Sequence, residues 1–149
     1  MLNSALAIIR DEHRSLAAVV HGLRYLVREI NEGNSKPDFR LLWAMIFYLD
    51  EFPEKLHHPK ENTYLFARLR QRTREADAVI AELESQHVAG ARHIRELELA
   101  LGHYEAGMPD GLEAFSAAVD IFADETMKHM ALEESTVLPL AKEHLTGAD

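Results

Sequence analysis

His57-His58-Pro59-Lys60-Glu61 sets a histidine and a carboxylate one helical turn apart, so that His57 and Glu61 point the same way. His129-Met130-Ala131-Leu132-Glu133 repeats the arrangement. One further histidine stands upstream of each pair: His13 lies 44 residues before His57, and His87 lies 42 residues before His129. A shift of 74 residues carries His13 onto His87, and a shift of 72 carries His57 and Glu61 onto His129 and Glu133. The two halves of the chain therefore match, helix for helix.

The flanking pattern is helical throughout. From about Ser4 to Ile30, Leu6, Ile9, Leu16, Val20, Leu23, Val27 and Ile30 recur every three or four positions, with His13 in the same stripe. Asn31 to Pro37 form a turn, and Asp38 is placed to cap a second helix carrying Phe39, Leu42, Trp43, Ile46, Phe47 and Leu49 inward. Pro53 and Pro59 each remove a backbone donor and collide with a carbonyl one turn back. A distortion is expected around Phe52–Pro59, with helix resuming through Glu61, Leu65 and Leu69. Such a bulge leaves open whether His57 or His58 points inward; the match to the other half favours His57.

A third helix, with Thr73 as a candidate cap, carries Val79, Ile80, Leu83, His87, Ala91, Ile94, Leu97 and Leu101. Asp110 is placed to cap a fourth, with Phe115, Val119, Phe122, Thr126, His129, Glu133, Val137 and Leu140 at helical spacing. Four helices joined by short loops pack most simply as an all-α, up-down-up-down antiparallel four-helix bundle. Residues 1–149 are one domain's length, enough for a full core.

Composition narrows the chemistry. The chain has no cysteine, which excludes disulfides, thiolate zinc, iron–sulfur ligation and cysteine nucleophiles. Its net charge of −9 would repel nucleic acid and anionic membranes. Leu6-Ala7-Ile8-Ile9 is too short for a membrane span and lacks the flanks of an export signal, so a cytoplasmic protein is expected.

A single histidine in an apolar stripe is usually a core residue bonded to a neighbour. Four of them, with two glutamates at the same height, are not explained that way. Burying Glu61 and Glu133 costs several kcal/mol each unless they are paired or bound to metal. The six candidate metal ligands are thus His13, His57, Glu61, His87, His129 and Glu133. Imidazole and carboxylate donors suit iron, manganese or zinc. Two carboxylates can bridge two ions, each ion also holding two histidine nitrogens.

This pattern resembles the hemerythrin family, and within it the bacterial hemerythrin-like HHE cation-binding proteins. The matching stretches are Asp11-Glu12-His13-Arg14, His57-His58-Pro59-Lys60-Glu61, Ser85-Gln86-His87 and His129-Met130-Ala131-Leu132-Glu133-Glu134, spanning nearly the whole chain. The resemblance implies two non-haem, oxo- or hydroxo-bridged iron ions that bind dioxygen end-on at one iron. His13 and His57 would then serve one iron, His87 and His129 the other, with Glu61 and Glu133 bridging.

One departure matters. Oxygen-carrying members use five histidines, two of them a turn apart on the third helix, whereas the positions a turn either side of His87 are Leu83 and Ala91. One iron lacks a nitrogen unless His58, Glu54, Glu84 or water fills the gap. Glu54-Lys55-Leu56-His57 and Glu84-Ser85-Gln86-His87 also form ExxH, the motif of ferritin-like di-iron oxidases, but on the wrong pair of helices. Their glutamates read as chance or as partners that orient the ligands. His21, His93, His103 and His144 fall outside the symmetric set and are expected at the surface; Tyr48 and Tyr64 could line the site.

The leading expectation is a binder of dioxygen or a related diatomic such as nitric oxide, more a metal- and oxygen-binding protein than an enzyme. A di-iron enzyme or iron-handling protein acting on peroxide or nitric oxide is the alternative, and an iron-dependent interaction module a third. Apolar residues near the bundle ends would suit a homodimer.

Overall fold

The computed structural model describes residues 2–149, the side chain of Glu54 excepted. Four long helical rods make an all-α bundle, and no strand occurs among the described residues. The first rod is α1 (Leu2–Asn31). The second runs from α2 (Phe39–Leu49) through a π-helical turn (Asp50–His57), α3 (His58–Lys60) and a second π-turn (Glu61–Phe66) to α4 (Ala67–Arg72). The third is α5 (Asp77–Glu105). The fourth is α6 (Gly111–Leu132), a third π-turn (Glu133–Val137) and α7 (Leu138–His144). α1 packs on α2 and α6, and α5 packs on the same two, so the rods close around one interior.

The loops follow from their residues. Gly33 and Gly107 sit at φ +76° and +75°, where a side chain would be strained. Each lets its own N–H and the next one fold back onto the preceding helix: Gly33 to the Ile30 carbonyl with Asn34 to Glu29, and Gly107 to Tyr104 with Met108 to His103. Asp38 caps α2 as expected, its Oδ1 accepting the Leu41 N–H at 3.1 Å. Thr73 does not cap the third rod: its hydroxyl accepts from Glu75 N–H, shaping the turn before α5. Asp110 occupies the cap position of α6, but its side chain makes no cap bond there, because its backbone turns to φ +59°.

The distortion expected around Phe52–Pro59 is a π-turn. The His58 N–H bonds to the Pro53 carbonyl five residues back, the wider ring accommodating the proline. The other two π-turns begin at Glu61 and Glu133, positions related by the 72-residue repeat. Pro139, just past Val137, has no N–H with which to continue a regular ladder there.

Two apolar clusters flank the middle of the bundle. One contains Leu16, Leu23, Leu42, Ile46, Leu97, Leu101 and Phe115; the other contains Leu6, Phe66, Leu69, Ile80, Leu83 and Val137. Between them lie the buried polar residues His13, His57, Glu61, His87, His129 and Glu133. Phe47, expected inward, is 65% exposed: Leu42, Ile46 and Leu49 define the buried stripe of α2, and Phe47 falls outside it. Leu97 is fully buried in the first cluster. Leu97→Ala should lower stability by roughly 2–5 kcal/mol, read as a fall in Tm, and leave metal content per chain unchanged.

Candidate metal centre

Helical spacing places six side chains at one height inside the bundle. Their ligand atoms fall into two overlapping groups, each with its donors within 4.8 Å of one another. One group is His13, His57, Glu61 and Glu133; the other is His58, Glu61, His87 and His129. All six expected residues are therefore brought together, and a seventh, His58, joins them. The π-turn over Asp50–His57 leaves two consecutive histidines in two different groups. His58 lies face to face with His87, ring centroids 3.9 Å apart and planes within 7°. It stands in one group with His87 and His129, whereas Leu83 and Ala91 offer no donor.

The imidazoles are oriented from behind. His57 Nδ1–H donates to Glu12 at 2.8 Å and His13 Nδ1–H to Glu134 at 3.1 Å. His129 Nδ1–H donates to the Gln86 side-chain oxygen at 2.8 Å and His87 Nδ1–H to that of Asn62 at 3.0 Å. With each Nδ1 carrying the proton, each Nε2 presents its lone pair to the centre. His13 and His57 then face one another Nε2 to Nε2 at 3.1 Å, and His87 and His129 at 3.0 Å. Two such lone pairs repel unless a cation lies between them. Nitrogens held about 2.1 Å from one ion at right angles are about 3.0 Å apart, which is the spacing found.

The carboxylates tell the same story. Glu61 Oε1 is 3.3 Å from His57 Nε2 and 3.4 Å from His87 Nε2, while its Oε2 is 3.7 Å from His13 Nε2. Glu133 points Oε1 at His13 (3.4 Å) and Oε2 at His129 (3.5 Å). These approaches are too long and poorly directed for hydrogen bonds, and all four oxygens are buried without a hydrogen-bond partner. Four such oxygens, aimed at four inward lone pairs, fit a pair of positively charged ions.

Electrostatics keeps these groups ready to ligate. Burial alone would raise the Glu61 carboxyl, but the adjacent His13, His57 and His87 outweigh it and hold it well below the carboxylate range. Burial pushes His129 down to about 3, with His87 and His58 adding to the effect, so it is a neutral imidazole at ordinary pH. Burial also opposes charge on His13, but Glu61 and Glu134 overcome it and raise His13 above its usual value.

Beside the centre is a cavity of about 60 Å³, lined by ligand histidines and by Leu16, Leu49, Phe122, Met130 and Thr126. Since a single water needs roughly 10–15 Å³ by such a measure, the cavity admits a few heavy atoms and no more. His93, expected at the surface, is half-buried and lines it, because α5 turns that face toward α6. Tyr64 is 66% exposed, and Tyr48 stacks on Phe52, 5.6 Å between centroids; neither lines the cavity. Glu84 is occupied by Arg70 at 2.7 Å on the surface, away from both groups. Glu54, the other residue weighed as an extra ligand, has its side chain outside the described residues. His21 and His103 are exposed, and His144 sits half-buried near Glu75.

Of the candidates His58, Glu54 and Glu84, His58 is the one whose donor lies with Glu61, His87 and His129 among the described side chains. The roles of Gln86 and Asn62 carried no charge or spacing signal. They become legible only once the repeat is extended outward, since Gln86 answers to Glu12 and Asn62 to Glu134.

No helix among the described residues is long and apolar enough to cross a membrane. A family model described as the hemerythrin HHE cation binding domain matches residues 4–141. No curated protein and no solved structure matches the chain.

Proposed function

Because this chain belongs to the hemerythrin HHE cation-binding family, we propose that its two ligand groups hold two iron ions and that the adjacent cavity receives dioxygen or a related diatomic such as nitric oxide. Manganese or zinc would satisfy the same donors, but iron supplies the reversible electron transfer that dioxygen binding needs. The observation that carries this reading is the set of four buried, unbonded carboxylate oxygens of Glu61 and Glu133 facing four imidazole nitrogens.

The chain's own residues would divide the work. Glu61 and Glu133 would bridge the ions; His13 and His57 would complete one pocket, and His58, His87 and His129 the other. If Glu61 and Glu133 both bridge, three histidines against two would leave the His13/His57 side the less filled, and a diatomic would bind there. Leu16, Leu49, Phe122 and Met130 make the inner wall of the cavity apolar, while exposed Glu125 stands at its outer side. Thr126 is the one hydroxyl along the cavity wall.

Protein loaded with ferrous iron without air should hold about two irons per chain and develop iron–ligand charge-transfer bands when air is admitted. Bands that reverse on degassing indicate a carrier, and irreversible change indicates a sensor or redox protein. Sustained turnover of added peroxide would move the reading to an enzyme. Absence of stoichiometric metal, with the bundle intact, would overturn it. His58→Ala should keep the bundle and weaken retention of one of the two irons, measured against a competing chelator. An unchanged iron stoichiometry and retention would exclude His58 as a ligand.

A further inference from the structure

We infer that Tyr48 is a one-electron donor to the metal centre: its electron passes through the Phe52 ring to His57, and hydrogen peroxide is the oxidant that draws it. The inference rests on the dinuclear reading above, in which His57 is a ligand.

Three aromatic rings lie in sequence from the flank of the bundle to its interior. Tyr48 and Phe52 are half-buried and His57 is 1% exposed. The Tyr48 and Phe52 rings stack with centroids 5.6 Å apart and planes within 6°, and Phe52 and His57 follow at 6.2 Å and 21°. Both spacings fall within the range of interacting rings, about 4.5–7 Å. The helix sets this alignment. Tyr48 and Phe52 are four residues apart, as neighbours on an α-helix are, whereas Phe52 and His57 are five apart. Five residues would carry a side chain about 140° round a regular helix, but the π-turn over Asp50–His57 widens the turn and brings the two rings to one face. The fourth rod is a regular helix up to Leu132, and five and nine residues before His129 stand Asp124 and Asp120, whose carboxylates bond Arg24 on the surface. The ring sequence is thus particular to the second rod.

The other tyrosines are placed differently. Tyr104 packs edge-on to Phe39 and stacks on Phe115, and Tyr25 lies beneath Arg28. Tyr64, 66% exposed, shares the wall of a second cavity with His57 and is the competing donor.

Peroxide chemistry gives the electron a purpose. Hydrogen peroxide needs two electrons and two protons to become two waters; given one electron, its O–O bond breaks to hydroxide and a hydroxyl radical. When the centre is half-reduced, with one ferrous and one ferric ion, only one electron is available there. Tyr48 supplies the other: its phenol O–H bond breaks, the electron goes inward along the rings, the proton goes to solvent, and a neutral tyrosyl radical is left. With one further proton from solvent, one peroxide becomes two waters, both ions end ferric and Tyr48 is oxidised by one electron. Burial and the nearby Glu12 carboxylate hold the Tyr48 hydroxyl above its usual value, so it is the neutral phenol that reacts.

The test uses full-length iron-loaded protein, half-reduced by titration, mixed with one equivalent of hydrogen peroxide and freeze-quenched for electron paramagnetic resonance. A tyrosyl radical is expected, its hyperfine pattern collapsing in protein made with ring-deuterated tyrosine. Tyr48→Phe should abolish it with iron content unchanged, Tyr64→Phe should leave it, and Phe52→Leu should lower its yield. A spin trap added in parallel, followed by peptide mass mapping, should place the adduct on Tyr48 and reports a radical too short-lived to freeze. Absence of both radical and adduct, a radical that survives Tyr48→Phe or is lost in Tyr64→Phe, or a yield untouched by Phe52→Leu would overturn the inference while leaving the dinuclear reading intact. Two irons that never give a half-reduced state would overturn the inference alone, and a chain that takes up no iron would overturn both.

Discussion

Glu61→Gln is expected to remove both metals at once, whereas His13→Ala should remove one. Glu61 is the residue shared by both ligand groups. Its oxygens reach toward His57 and His87 on one side and His13 on the other, at 3.3–3.7 Å. An amide of the same shape keeps one carbonyl oxygen and replaces the other donor with an NH2 that has no lone pair to give, so it cannot bridge two ions. Elemental analysis should read about two metals per chain in the wild type, about one in His13→Ala, and close to none in Glu61→Gln. The variant should still fold, because glutamine has the same shape and the two apolar clusters that flank the centre are untouched. A Glu61→Gln protein that retained both metals would refute the bridging role.

Stripping metal from the wild type should lower Tm by about 10 °C or more. Ions that bind the folded chain alone, at roughly a thousand times their dissociation constant, add about 4 kcal/mol each. For a chain of this length each kcal/mol moves Tm by about 2–4 °C. The metal-free protein should also be acid-sensitive. His129 has its folded pKa near 3, below the ordinary 6.5, so the unfolded chain binds the extra proton between those values. Its contribution favours folding above pH 6.5 and is lost progressively as pH falls toward 3, about 5 kcal/mol in all. Glu61, held well below 4.5, loses its contribution in the same direction as pH falls beneath that value. His13 has the opposite sign: raised in the folded state, it stabilises below pH 6.5 and that gain fades as pH rises through its folded pKa. Thermal melts across pH should thus peak near neutrality for the metal-free chain. A metal-free melt that stayed flat from pH 7 to 4 would contradict the burial of a neutral His129.

The bundle and the six central residues were legible because one physical rule covers both. A 3.6-residue period sorts side chains onto a buried face, and a histidine or glutamate caught on that face must meet its equivalents from the other helices. Where that period fails, so did the reading. The π-turn after Leu49 alters the angular offset between neighbours, which is why His57 and His58 could not be told apart on spacing. Phe47 is hydrophobic enough to suggest core, but its angular position is that of an outer residue. His93 has no counterpart in the repeat, so symmetry gives no sign that it lines the cavity.

That third π-turn is also a statement about phase. The Leu138 N–H reaches the Glu133 carbonyl five residues back, so the rod carries one residue more than a regular helix would use. In a regular α-helix, deleting a residue rotates everything beyond it by about 100° and turns a buried face to solvent. Deleting exposed Ser135 instead converts that same bond to an ordinary helical one, so Leu138 and Ala141 stay inward on one side and Phe122 and His129 on the other. At this point the chain can be shortened by one residue with its packing kept in register, and what it surrenders is the local splay that aims Glu133 and Glu134 at His13.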